Sequence, residues 1–184
     1  MKQTKLLWEK VYTALPELYG EFPPLAILNR LAEMGIYKND LLMDMPRIGE
    51  LSSTNRHKTA VHLAEDQTLI LVSGGWRTLL PLCAKGNTEA LTNAAVAMEK
   101  DGLQVIAVTY RLTATAPAVY TAAELEHDLV CAGLLGLYVP LRSTAAVDTR
   151  VRNILFSDES VAIAVATANS AGFGDDIRAI TGEE

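Results

Sequence analysis

Residues 68–75 read Thr-Leu-Ile-Leu-Val-Ser-Gly-Gly, an apolar run ending in two glycines, with a helical pattern from Trp76. A strand that ends in glycines at a helix N-terminus can bring backbone N–H groups up to an anion, and the helix dipole adds attraction. Ser73, Gly74 and Gly75 are therefore candidate anion-binding residues. The same glycines equally suit a tight turn without a ligand, which is their commoner use, and they match neither a Walker loop nor a GxGxxG fingerprint. Lys58, with Arg56 beside it, is the basic candidate for such an anion; a solvated loop lysine is the alternative. Trp76 can offer its ring to a base, although a core anchor is the more frequent role of such a tryptophan.

The remaining reactive side chains do not assemble into a catalytic set. His57, His62 and His127 lack the i, i+4 spacing that puts two imidazoles on one helical face, so no metal site is expected. Cys83 and Cys131 are far apart in sequence and form no CxxC, which reads as buried thiols in a reducing cytoplasm. Glu124, Glu126 and Asp128 fall in a polar turn, where solvation is the default. There is no Gly-x-Ser-x-Gly and no recognisable Cys–His pair. No catalytic residue is assigned.

The elements that must position these residues are legible from periodicity. Lys5–Tyr19 and Leu25–Met34 have helical spacing, with Gly35 as the stop of the second, and Asn39–Met45 reads as a short helix. Strands follow at Arg47–Ser52, Thr59–Ala64 and Thr68–Val72, with Glu65–Gln67 as a hairpin loop and Ser53–His57 as a polar turn. Helices at Trp76–Lys85 and Thr88–Lys100, the second capped by Asp101 and Gly102, lead to a strand at Gln104–Arg111. A helical turn near Ala122–His127 and a strand at Leu129–Tyr138 complete the first part. After Pro140 come a polar helix (Ser143–Arg150), a strand (Val151–Phe156) and an Ala/Val-rich helix from Ser157 to about Ala171. At 184 residues and 49% hydrophobic, the chain can bury a core. Its net charge of −6 and the lack of basic runs with aromatics argue against a nucleic-acid partner. Its longest apolar run, Leu129–Pro140, falls short of the roughly 20 residues that span a bilayer.

From Gly20 to Arg142 the order and spacing of short motifs resemble the nucleotide-binding domain of cation-transporting P-type ATPases. The stretches that carry the resemblance are Gly20–Leu28, Glu50–Lys58, Val72–Gly75, Gly102–Ala107 and Val139–Arg142. Ile154–Asp158 with its helix resembles the family's strand–Thr-Gly-Asp–helix, and Gly174–Glu184 the segment after it. The resemblance implies an α+β fold with an antiparallel sheet flanked by helical hairpins over residues 1–140. It also implies a partial, α/β phosphorylation-domain-like segment over 141–184. It further implies ATP as ligand, Mg in the parent family, the other cytoplasmic domains of the parent ATPase as partners, and a cytoplasmic domain of a membrane protein. The phosphorylated aspartate would lie upstream of residue 1, so the chain is expected to be an excised piece that does not itself hydrolyse ATP.

The departures from the family pattern share a direction. Pro24 stands where the family has a nucleotide-binding Glu, and Leu51–Ser53 lacks the stacking ring. Ser73 replaces the lysine of Lys-Gly-Ala, Gln104 the family arginine, and Val139 the exit Asp. Asp158 matches the aspartate that supports the phosphorylated site, or serves only to cap the following helix. A lost aromatic platform is worth on the order of 1 kcal/mol or more, and charge-assisted contacts are about twice as strong as neutral ones. Their combined loss would turn micromolar binding into roughly millimolar or none. The shortened Arg142–Ile154 stretch fits an alternative, a non-catalytic regulatory or interaction domain on the same scaffold.

Overall fold

The computed structural model describes residues 25–52, 57–84, 88–138, 152–173 and 177–181. Several expectations lie outside them: the Lys5–Tyr19 helix, Pro24, most of the polar turn after Ser52, the Val139–Arg142 exit and the Ser143–Arg150 helix. Two compact units are present, one from Met1–Thr88 with Ile106–Leu135 and the other from Glu89–Val105 with Gly136–Glu184.

In the first unit, helix α1 (Leu25–Glu33) buries Leu31 and helix α2 (Lys38–Asp44) buries Leu41. Strands β1 (Arg47–Ser52), β2 (His57–Ala64), β3 (Gln67–Gly75), β4 (Gln104–Thr113) and β5 (Val130–Leu137) form one antiparallel sheet in chain order. The fold is thus α+β, as expected. The β2–β3 hairpin closes through Glu65 and Asp66, with Ala64 opposite Gln67 and Glu65 at φ 50°.

β3 explains why its sequence is an almost unbroken apolar run. Antiparallel strands that face water on one side alternate apolar and polar residues, whereas Thr68–Gly74 are all buried here. Both faces of the central strands are covered. The register puts His57, Thr59 and Val61 of β2 beside Gly74, Val72 and Ile70 of β3, and those beside Ala107, Thr109 and Arg111 of β4. Lys58, Ala60 and His62 share the opposite face with Ser73, Leu71 and Leu69, because side chains alternate along a strand. A bond from Thr109 Oγ1 to the Val72 carbonyl at 2.9 Å ties β4 to β3.

Two elements differ from expectation. After Gly75 the chain makes a single α-helical turn, α3 (Trp76–Leu79), then a 3₁₀ turn over Leu80–Leu82, not a helix to Lys85. Pro81 supplies no N–H and does not propagate an α-helix. In the second unit, helix α4 (Thr88–Lys100) ends as expected at Gly102, whose φ of 77° is left-handed. Helix α6 (Val161–Ser170) follows, but Arg152–Ser157 is irregular and not the expected strand. A strand exists by pairing, and no described strand pairs with this segment.

Candidate functional site

The polar side chains that the fold brings together most closely lie inside the first unit. A long connection runs from β4 to β5, with helix α5 (Ala122–Leu125) near its end. Thr121–Glu124 are exposed, but the next turn drives Leu125 and Glu126 into the core. Glu126 is 7% exposed, and its carboxylate meets two side chains of β2. Oε2 lies 2.7 Å from His57 Nε2, and Oε1 accepts from Thr59 Oγ1 at 2.6 Å. His57 and Thr59 are 4% and 1% exposed and share one face because they are two residues apart on a strand.

A carboxylate this deep needs a partner for each oxygen, and β2 supplies both. The other ring nitrogen, His57 Nδ1, is buried without a partner among the described residues. The geometry resembles a base oriented by a carboxylate, but every group is enclosed. Its evident chemical action is to hold the connection on the sheet.

Two further contacts fasten the same connection. Arg111 of β4 donates from one terminal nitrogen to the Glu124 carbonyl at 2.5 Å and from the other reaches the His127 ring at 2.7 Å. His127 Nδ1 also lies 2.9 Å from Asp128 Oδ2. Tyr120 lies over Gly49 of β1, where any Cβ would collide with its ring, and its hydroxyl donates to the Ile48 carbonyl at 3.4 Å. Glu124 and Asp128 are exposed, as expected for a polar turn. Glu126 corrects that expectation. A strand that starts at Thr59, as the sequence pattern implies, begins two residues late. It leaves His57 in a turn and hides the shared face of His57, Thr59 and Val61. The usable signal is that alternation.

The residues expected to bind a nucleotide are dispersed. Ser73 is 0% exposed, in the middle of the sheet between Lys58 of β2 and Val108 of β4. Lys58 is half-buried on the same face, and Gly74 points its missing side chain to the other. Gly75 precedes α3, whose four residues give little dipole. Trp76 is a buried core residue with the Arg77 guanidinium 4.4 Å from its ring centroid. In the second unit, Gln104 Nε2 donates to Glu159 Oε1 at 3.3 Å. Asp158 is exposed and does not cap α6. Ser160 does, accepting from the Ile163 N–H at 3.5 Å, because the helix begins at Val161.

Cys83 and Cys131 are free thiols, half-buried where buried ones were expected. Cys83 bridges in parallel to Leu129, two residues before Cys131. Burial, and then the neighbouring Cys131, push the Cys83 thiol up to about 11 from 9.0. Burial also raises Cys131, against a smaller lowering from a hydrogen bond with the Gly133 backbone.

No protein-family model matches the chain, and no curated protein matches it.

Proposed function

We propose that the chain is the nucleotide-binding domain of a cation-transporting P-type ATPase, in a copy that binds ATP weakly or not at all. In such a protein the domain would carry ATP, with Mg, to the catalytic aspartate of a neighbouring cytoplasmic domain, and phosphorylation would drive ion transport. The order of motifs along the sequence supports the family, and the α+β architecture with its antiparallel sheet is compatible with it. No helix among the described residues is long and apolar enough to cross a membrane.

The observation that carries the weak-binding half is Ser73. Where the resemblance calls for a phosphate-binding lysine, the side chain is short, uncharged and wholly buried. Without that charge, and without a ring at Leu51, a nucleotide would lose its two strongest classes of contact. Titration of MgATP into the protein, followed by calorimetry and by NMR shifts near Lys58 and Gly75, is expected to give millimolar affinity or none. Low-micromolar binding at those residues would sink the proposal.

A second reading, a non-catalytic regulatory or interaction domain on the same scaffold, is favoured by the exposed Ile154, Leu155 and Phe156 of the second unit. The flanking gene sequence separates the two. An upstream Asp-Lys-Thr-Gly-Thr with transmembrane segments supports the transporter, and their absence supports the interaction domain.

A further inference from the structure

We infer that His57, Thr59 and Glu126 form an acid-opened latch, which releases the β4–β5 connection from the sheet when the cluster takes up a proton. Each carboxylate oxygen of Glu126 takes one bond, from His57 Nε2 and from the Thr59 hydroxyl. Nδ1 of the same ring is buried and has no partner among the described residues. An unpaired buried acceptor is tolerated better than an unpaired buried N–H. The bonding therefore assigns a neutral ring with its hydrogen on Nε2, facing an ionised carboxylate.

A proton added to this cluster has three places to sit. On Nδ1 it creates a buried N–H without an acceptor. On the carboxyl oxygen facing Nε2 it forces the ring hydrogen over to Nδ1, with the same result. On the oxygen facing Thr59 it displaces the bond that the hydroxyl donates. Each arrangement leaves one donor unsatisfied in the core, at a cost comparable to the bond it held.

The surrounding charges do not remove this asymmetry. Lys58 of β2 lies on the opposite face of the sheet. Arg111 of β4 is engaged with the Glu124 carbonyl and His127, and Glu124, His127 and Asp128 are exposed to water. The strand faces behind the latch, Val72 of β3 and Thr109 of β4, carry no charge. Other holds on the connection carry no buried charge: the Arg111 clamp, the Tyr120 contact, the buried Leu125 and, at its end, Leu129 bonded to Leu82 and Ala84.

Hydrogen exchange of the wild-type protein tests this directly. The amides of Leu125 and Glu126 are bonded to the Thr121 and Ala122 carbonyls and so report on whether the turn is formed. From about pH 8 to about pH 4, a span that covers ordinary imidazole and carboxyl titrations, their protection is expected to fall about tenfold more than that of Leu71 in β3, after correction for intrinsic rates. Glu126→Gln is expected to start with low protection at these amides and to show no differential fall. The nitrogen shifts of His57 at neutral pH are expected to show hydrogen on Nε2 alone. Protection that tracks Leu71 at every pH, or a doubly protonated His57 ring at neutral pH, overturns the latch. The wild-type measurements decide the matter even if the variant does not fold.

Discussion

Thr59→Val keeps the shape of the side chain and removes its donor, which makes it the mildest probe of the buried cluster. It leaves Glu126 Oε1 without the bond now made at 2.6 Å, and a buried charged acceptor left unpaired costs about 1–3 kcal/mol. Glu126→Ala strands both the His57 N–H and the Thr59 hydroxyl and leaves a cavity, for about 2–5 kcal/mol. Urea denaturation should therefore rank Glu126→Ala well below Thr59→Val; equal losses would mean that the carboxylate makes little use of its two bonds. Cys83 gives a second prediction at this scale. Its thiol is held protonated by burial and by Cys131, so it should alkylate more slowly near neutral pH than an ordinary thiol, with a pH–rate midpoint at about 11. By linkage, the folded state holds its proton between 9.0 and about 11 while the unfolded state releases it, so this group lowers stability as pH rises through that window. An alkylation midpoint at the ordinary thiol value would contradict the burial.

Element by element, the chain announces its helices and strands through periodicity, and the departures have physical causes. α1, α4 and the β2–β3 hairpin read correctly because each has a local signature: helical spacing before Gly35, a Gly102 stop, and Glu65–Gln67 between two apolar runs. The helix after Gly75 is shorter than its pattern implies because Leu79, Leu80 and Leu82 keep an apolar spacing that Pro81 converts into a 3₁₀ turn. Arg152–Ser157 has the composition of a strand but no pairing partner among the described residues, and pairing is non-local. The buried cluster is hidden in the sequence for a related reason. Glu126 sits among exposed acidic residues along the chain, and only the tertiary fold turns it inward onto β2. Gly102 is the element boundary with the clearest test. At φ 77°, and with room for a Cβ only 3.2 Å from that of Ala166, alanine would be both strained and crowded. Gly102→Ala should cost about 1–2 kcal/mol, read as a lower urea midpoint with unchanged slope. An unchanged midpoint would show that the α4–β4 turn accommodates a side chain freely.

At the scale of the whole molecule, apolar residues are divided unevenly between interior and surface. Val61, Ile70, Leu71, Val72 and Leu129 are essentially inaccessible, while Phe156 is 89% exposed, with Ile154 and Leu155 beside it. Helix α6 is apolar nearly all round, yet only Ile163 and Ala168 of it are buried. Helices of that composition normally sit inside a larger core. The division predicts opposite responses to similar truncations. Leu129→Ala removes a fully buried side chain and should cost about 2–5 kcal/mol through lost transfer energy and the cavity left behind. Phe156→Ser removes a larger side chain from water-facing surface and should change stability by no more than about 0.5 kcal/mol. Because an exposed apolar cluster favours association, the same Phe156→Ser change should lower any concentration-dependent rise in sedimentation coefficient. Paired urea titrations and sedimentation runs on the two variants read both effects. A Phe156→Ser loss of more than about 1 kcal/mol would mean that the side chain is packed in solution, and the apolar run would then be core and not surface.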